Sequence, residues 1–287
     1  MSKKKTGEGV VRQLLQVTCG NGQEARVLKL DKQFIAVEKP HGILSQPDIT
    51  NDESLDESVK KFLVKHYEKP GNAFAAVVHR LDRPASGVML LATTSKAASR
   101  LAKQFRDHTI HKEYLAVVSS SKLHNRTDGI IKGSDALAAG TGEGGEWTSS
   151  NKLQQGDLEW TRVRDVGNLF SVLRIKIQTG TKHQIRSQLC VGGIGPIVGD
   201  VKYGYHGALP HHFPATGAVM LHANRLEFDH PITNERIRLS CPPNSWPKAF
   251  WPAYFKAGEE EDVGENGEVK EDGKPKKTTG KRTKLFT

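Results

Sequence analysis

Several features that mark common protein classes are scarce in this 287-residue sequence. It has three cysteines, far apart and without a C-x-x-C pair, so neither a disulfide framework nor a zinc ribbon is expected. The longest apolar runs, such as 88–92, are too short for a membrane helix. The opening MSKKKTGEG lacks the apolar segment of a secretory signal. These absences predict an intracellular protein, cytoplasmic in the first place, with mitochondrion and plastid as alternatives.

Acidic residues are too few to balance the basic ones: there are 42 Lys and Arg against 32 Asp and Glu, a net charge of +10. Residues 256–287 contain eight of each kind, so the whole excess lies in residues 1–255. A basic folded body favours a polyanionic partner, because the phosphates it neutralises release their counterions. A solvated surface tuned for solubility is the plainer alternative, and charge alone does not decide between the two.

Hydrophobic periodicity predicts one mixed α/β (α+β) catalytic domain over 25–255, with no internal repeat. A disordered basic segment, 1–24, precedes this domain, and a disordered acidic-then-basic tail, 256–287, follows it. A Gly- and Ser-rich stretch at about 119–151 is interpreted as a flexible insertion between strands. The pattern predicts strands at 27–30, 34–38, 77–78, 87–92, 111–118 and near 158–178, with helices after Ser54, over Ser95–Arg106 and after Gly180.

The segment VVHRLDRPASGVMLLAT places Asp82 between Arg80 and Arg83, with apolar runs on both sides. Pro84 prevents continuation of a strand, so the carboxylate is expected on a turn at a strand end. Neighbouring guanidinium groups would keep it ionised, which suits a nucleophile, a base or a cation stabiliser better than a general acid. A structural ion pair that pins the turn is the alternative interpretation.

Two further segments carry candidate site residues. In HKEYLAVV the alternation places Lys112 and Tyr114 on one face of a strand. In TGTKHQIRSQL, His183 and Arg186 are three residues apart at the start of a helix, so they share a face. Arg186 can form a bidentate pair with a carboxylate. Each of these residues, taken singly, is more often structural than functional.

Together and in this order, HRLDRPASGVMLLAT, HKEYLAVV, TGTKHQIRSQL…GGIGPIVGDVKYG and MLHANRLEFDHP resemble the motif series of the RluA-type pseudouridine synthases. The resemblance extends over about 27–243. It implies an enzyme that isomerises specific uridines in ribosomal or transfer RNA, with RNA as its partner. It also implies a mixed, mostly antiparallel β-sheet flanked by helices, with a central RNA-binding cleft. No metal and no organic cofactor are implied, and a monomer is expected.

The resemblance also implies roles for individual residues. Asp82 would be the catalytic aspartate, Tyr114 would stack on the target uracil, and Arg186 would form a salt bridge to Asp82. Arg80 would enter the RNA stack where the flipped base leaves, and Leu221 would help to line the uracil pocket. The candidate substrate-binding residues are Arg80, Arg83, Lys112, His183, Gln184 and Leu221.

The sequence departs from the family where GRTHQIR is more usual, because Thr181 and Lys182 precede His183 here. This departure is expected to change RNA contacts rather than chemistry. Only about two dozen residues precede the first predicted strand, so we expect no S4-type RNA-binding module. Substrate selection would then come from the catalytic domain, its insertion or a partner.

Other functions remain as alternatives. A catalytically idle RNA-binding or ribosome-assembly factor on the same fold would be expected to lack one of the three catalytic residues. Glycosylases and glycosidases commonly need a second carboxylate, and the motifs offer only Asp82. HRLD loosely resembles a kinase catalytic loop, but no Asn follows at the required spacing and no G-x-G-x-x-G precedes it. The histidines His206, His211 and His212 have no Cys or acidic partner at ligand spacing.

Overall fold

The computed structural model describes residues 15–68, 70–123, 125–133, 156–214 and 216–253. These residues form a sheet of eleven strands: β1 (Gln16–Thr18), β2 (Glu24–Leu30), β3 (Phe34–Lys39), β4 (Ala76–Val77), β5 (Ser86–Ala92), β6 (His111–Ser119), β7 (Asp128–Ile131), β8 (Leu158–Val166), β9 (Phe170–Ile177), β10 (Leu221–Asp229) and β11 (Arg236–Ser240). Three α-helices accompany the strands: α1 (Leu55–His66), α2 (Ser95–Arg106) and α3 (Gln184–Val191). None of the helices in the described residues is long and apolar enough to span a membrane.

The strand order is β1-β2-β3-β5-β10-β6-β9-β8-β7, with β11 paired to β10 and β4 paired to β5. Within the described strands only the β5–β10 pair is parallel, and every other pairing is antiparallel. This arrangement confirms the predicted mixed, mostly antiparallel sheet. The strands β6 and β10 lie near its centre, where the two halves of the sheet meet.

Alternating residues of the strands bury both faces of the sheet. The face against α1 contributes Ile35, Val37, Met89 and Leu91. The face against α2 contributes Phe34, Ala36, Val88 and Leu90. The third helix, α3, packs on the same face as α1. This is seen at Tyr114, which packs against both hydrophobic clusters, the one beneath α3 and the one beneath α1. Strands covered on both sides need continuous apolar runs, which explains why β5 is buried along its whole length.

Local signals determine where the helices begin. The backbone N–H of Ser54 donates to the Glu57 carboxylate at 2.8 Å, half of the expected capping box before α1. The hydroxyl of Thr94 accepts from the N–H of Ala97 at 3.2 Å, which caps α2. The predicted bounds of α2 are therefore confirmed.

The crossing of β5 and β10 requires glycine at position 87. Gly87 has φ +117°, and a Cβ there would lie 2.3 Å from the carbonyl oxygen of Ala223. This close approach brings the start of β5 against β10, where Ala223 is also the partner of Tyr114 on β6. The segment just before β5, which contains Asp82, is thereby placed beside Tyr114.

Two of the predicted boundaries are wrong in part. Strand β1 lies inside the segment 1–24 that the sequence predicts to be disordered, and it pairs with β2 through its backbone. Strand β7 lies inside the predicted flexible insertion 119–151 and extends the sheet beyond β8. Both are short edge strands, whose formation depends on a partner strand rather than on their own composition. Residues 1–14, 134–155 and 254–287 lie outside the described residues, so the predictions for them stay predictions.

Candidate active site

The segment between β4 and β5 carries Asp82 and is fixed in place on both sides of that residue. Leu81 is buried, and the Ser45 hydroxyl donates to its carbonyl at 2.7 Å and accepts from its N–H at 3.1 Å. The N–H of Ala85 donates to the carbonyl of Asp82 at 3.0 Å and closes a turn. The carboxylate therefore projects from a fixed turn, as predicted, and the side chain before it is anchored in the core.

Two residues, one at the end of β3 and one just after it, bind the same turn. Lys39 is fully buried, and its ammonium donates to the carbonyl oxygens of Pro40 (2.9 Å), Arg83 (3.2 Å) and Ala85 (2.8 Å). Burial lowers the pKa of Lys39, an effect that the charge of Asp82 opposes. The ring of His41 lies 2.8 Å from the carbonyl oxygen of Pro84. The chain thus uses buried polar groups to set the backbone that presents Asp82.

A pocket opens over the carboxylate where the turn meets the sheet. It holds about 440 Å³ of empty space, including its open mouth. Its apolar wall comes from the central strands, through Tyr114, Ile177 and Leu221, and its polar wall includes Arg80, Asp82 and His183. A flat aromatic or apolar face opposite a carboxylate suits a heterocyclic base attached to a sugar.

The Asp82 carboxylate contacts a buried guanidinium group. Arg186 on α3 donates through Nη1 to Oδ2 of Asp82 at 3.1 Å; the Arg186 side chain is 5% exposed and that of Asp82 22% exposed. Burial alone would lower the pKa of Arg186, but the charges and hydrogen bonds of Asp200 and Asp82 raise it above its ordinary value. Arg186 is therefore a permanent cation, and the contact implied by the resemblance is present.

Tyr114 presents its ring and its hydroxyl to the same pocket. Among the described residues no hydrogen-bond partner reaches the phenolic oxygen, which leaves it open to a bound molecule. Burial raises the pKa of Tyr114, and the charge of Asp82 raises it further. The residue is consequently a neutral phenol at physiological pH and not a phenolate.

His183 closes the side of the pocket from the start of α3. It has φ +57°, and its Nε2 lies 3.9 Å from Oδ2 of Asp82. Its Nδ1 lies 3.1 Å from the hydroxyl oxygen of Tyr203. Burial lowers the pKa of His183, while the charge of Asp82 opposes that effect. The predicted convergence of His183 and Arg186 on one side of the helix is thus present, with both groups facing Asp82.

A comparison with protein families agrees with this geometry. The model of the family described as RNA pseudouridylate synthase matches residues 33–190, more than half of the chain. The chain belongs to this family. The matched range contains Asp82, Tyr114 and Arg186, so the three converging side chains lie within the shared domain of the RNA pseudouridylate synthases.

Curated relatives and solved structures extend the likeness. The chain is 31% identical over 234 residues to tRNA pseudouridine synthase C of Pectobacterium carotovorum subsp. carotovorum, covering 75% of this chain and 58% of that protein. It is 31% identical over 229 residues to ribosomal large subunit pseudouridine synthase D of Xanthomonas campestris pv. campestris, covering 75% of this chain and 65% of the relative. The solved structure of human RNA pseudouridylate synthase domain containing 1 shares the fold, with a TM-score of 0.54 at 21% identity over 86% of this chain and 91% of that one.

The two arginines that flank Asp82 have different positions in this pseudouridylate synthase domain. Arg80 is exposed at the pocket wall, as predicted. Arg83 turns away: it donates to the carboxylate of Asp52 at 2.7 Å and to the carbonyl of Gly42 at 3.0 Å. Arg83 therefore points toward another loop and does not line the pocket, and its substrate-binding role stays a prediction.

Lys112 and Gln184 shape the rim of the pocket. The ammonium of Lys112 donates to the backbone carbonyls of residues 178 and 179, each at 2.7 Å, and burial lowers its pKa to about 8. The amide oxygen of Gln184 accepts from the Thr179 hydroxyl at 2.9 Å and from the N–H of Thr181 at 3.2 Å. Both side chains support the turn after β9, and Gln184 also lines the pocket, so direct substrate contacts of these two residues stay a prediction. Leu221 lies in the pocket wall, as the resemblance implied.

The sequence interpretation missed Asp200 and Tyr203, which lie beneath the pocket. Both carboxylate oxygens of Asp200 accept from Arg186, at 2.7 and 2.8 Å. The ring of Tyr203 lies 5.1 Å from the guanidinium carbon of Arg186. The available signal was a single acid in the mainly apolar and glycine-rich segment GGIGPIVGDVKYG, where an unpaired carboxylate would be too costly to bury.

One cluster has the composition of a metal site but is already occupied by protein groups. Ligand atoms of Glu38, His222 and Cys241 lie within 4.8 Å of one another. Arg26 places its guanidinium group there, 3.1 Å from the Glu38 carboxylate and 3.9 Å from the Cys241 sulfur. Both nitrogens of the His222 ring have partners, the Ser86 hydroxyl and the Cys241 carbonyl. A resident cation would be repelled by the arginine, so we assign no metal to this cluster.

Proposed function

We propose that the protein converts uridine to pseudouridine in a structured RNA, a transfer or ribosomal RNA, with Asp82 as the catalytic carboxylate. The observation that carries this proposal is the convergence of Asp82, Tyr114 and Arg186 on one pocket whose opposite wall is apolar. Relatives named for tRNA and for large-subunit rRNA modification support an RNA substrate. The net charge of +10 favours the same partner.

The target base must leave its stack to enter the pocket. A uracil within a helix hides its glycosidic bond, and extrusion costs a few kcal/mol, least at loops and bulges. Tyr114, Ile177 and Leu221 offer the everted ring a stacking surface in exchange. Arg80 is exposed and lines the pocket, which supports a role in filling the space that the base leaves in the RNA. Recognition of the flipped base thus uses residues from the turn and from the central strands.

The reaction is an isomerisation, so no oxidant and no co-substrate is needed. The N1–C1′ bond breaks, the uracil rotates, and C5 bonds to C1′. C5 then loses its proton, and N1 ends with an N–H, which balances the atoms and the charge. Positive charge develops at C1′ during cleavage, and the Asp82 carboxylate stabilises it. Asp82 fits this role because Arg186 holds only one of its oxygens.

Tyr114 assists as a neutral phenol. Since burial raises its pKa, the residue is not a phenolate before the reaction and cannot act as a phenolate base toward the C5 proton. It relays that proton: the phenolic oxygen accepts the C5 proton while the phenolic proton passes to the uracil, where N1 gains its N–H, and the ring supports the base. The unpartnered hydroxyl among the described residues makes this relay geometrically accessible.

Pseudouridine mapping of total RNA with and without this protein tests the proposal and names the substrate. We expect one or a few uridines to be modified only when the protein is present, and to be modified again when the wild-type chain is restored. Unchanged maps, together with retained RNA binding by the purified chain, would instead support an idle RNA-binding factor.

A further inference from the structure

Arg186 lies between two carboxylates and makes more and shorter hydrogen bonds to one of them than to the other. Its Nε and Nη2 donate to the two oxygens of Asp200 at 2.7 and 2.8 Å, a bidentate pair. Its Nη1 makes one hydrogen bond of 3.1 Å to Asp82. Two short parallel bonds are stronger and more directional than one longer bond. The orientation of the guanidinium group is therefore set by Asp200.

Asp200 is itself immobile and is kept away from the substrate. Its side chain is 1% exposed, and it does not contribute to the pocket wall. Its carbonyl accepts from the N–H groups of Tyr203 and Tyr205, at 3.1 and 3.0 Å, and its own N–H donates to Ile197 at 2.9 Å. The ring of Tyr203 covers one face of the guanidinium group. Arg186 thus rests on a rigid support formed by the segment after α3.

This arrangement determines how much of Asp82 remains for chemistry. Arg186 donates only to Oδ2 of Asp82, and within the described residues no hydrogen bond reaches Oδ1. Without Asp200 the free fork of Arg186 would close on Asp82 in a bidentate pair and occupy both oxygens. That pairing would neutralise the carboxylate that must face C1′.

We propose that Asp200 is a positioning residue of the catalytic centre: it holds the Arg186 fork so that a single N–H steadies Asp82 and the second carboxylate oxygen stays open to the substrate sugar. The inference rests on the proposed function, because it concerns the same site and reaction. It goes beyond that function because it assigns a role to Asp200, a buried carboxylate that does not contact the substrate. That role is to control how much of the reactive Asp82 carboxylate stays free.

The test compares Asp200→Asn with Asp200→Glu, using the RNA found by mapping. Asp200→Asn removes the charge and one acceptor, so we expect kcat to fall about 100-fold while KM changes less than about threefold. Asp200→Glu retains the ion pair and so protects the fold, but it displaces the guanidinium group. We expect its kcat to fall at least about tenfold, again at unchanged KM, and to remain higher than the kcat of the Asn variant.

Asp56→Asn is the matched control, because Asp56 is also buried and paired, with Lys60 at 2.8 Å on α1, and does not line the pocket. It should lower the melting temperature and leave kcat unchanged. Wild-type kcat in a folded Asp200 variant, or equal losses in the Asp56 control, would overturn the inference. Lack of activity in the wild-type chain would instead count against the proposed function, so the two failures are distinguishable.

Discussion

At the residue scale, the site depends on a carboxylate that is steadied without being fully paired. Asp82 is 22% exposed and receives one hydrogen bond from a buried guanidinium group. A fully buried ion pair would give structural order, but it would leave no charge directed to the pocket. Partial exposure and a single donor leave one side of the carboxylate facing an open space of substrate size.

Substitutions at Tyr114 separate the contribution of its ring from that of its hydroxyl group. We expect Tyr114→Phe to keep RNA affinity within about twofold, because the stacking ring remains, and to lower kcat by about 10²–10⁴-fold, because the proton relay is lost. Tyr114→Ala should additionally weaken binding by about 1–3 kcal/mol. Single-turnover kinetics and filter binding measure these effects. Wild-type kcat in the Phe variant would show that the hydroxyl has no part in the reaction.

At the element scale, the end of β3 and the turn before β5 form one unit through Lys39. We expect Lys39→Met to lower the free energy of unfolding by about 2–5 kcal/mol, because three backbone carbonyls lose their donor. Urea denaturation measures the change, and Lys32→Met, at an exposed position, is the control. Equal stability of the two variants would mean that the ammonium does not hold the turn.

The elements that the sequence predicted well are those with local signals. Caps and apolar periodicity located α1 and α2, and alternation placed Tyr114 on the face that meets the pocket. The convergence of Asp82, Tyr114 and Arg186 followed from a resemblance to a family and not from periodicity. No local signal could do so, because these residues are separated by long stretches of chain.

The missed features all depend on contacts between distant segments. Strand β7 exists because β8 accepts it as an edge partner. Arg83 is next to Asp82 in sequence, yet it pairs with Asp52 because a turn reverses its direction. Asp200 faces Arg186 only after α3 and the following loop fold back. Spacing along a chain indicates which residues share an element, whereas it does not indicate which partner each charge finds.

At the scale of the whole molecule, three histidines with lowered pKa values make stability depend on pH. Burial lowers the pKa of His41 to about 4 and those of His79 and His222 to about 3, from 6.5. Below pH 6.5 these three histidines bind protons in the unfolded chain, while in the folded chain they stay neutral until the pH approaches their lowered pKa values. The free energy of unfolding therefore falls as pH falls, by at most about 4 kcal/mol per pH unit for the three groups.

Urea denaturation between pH 6.5 and 5 measures this dependence in a range where few carboxylates titrate. We expect stability to decrease steadily toward pH 5, and His79→Gln to reduce the slope whatever its effect on absolute stability. A flat profile over this range would mean that these rings do not remain neutral in the folded protein.

The central claim, that the Asp82 carboxylate performs the chemistry, is tested most directly by Asp82→Asn with the mapped RNA. We predict that single-turnover pseudouridine formation falls by about 10³-fold or more, while RNA affinity and melting temperature stay close to wild type. Asp52→Asn, which removes the neighbouring carboxylate paired to Arg83, should retain activity. Pseudouridine formation by the folded Asp82→Asn variant at a rate near that of the wild type would contradict the account.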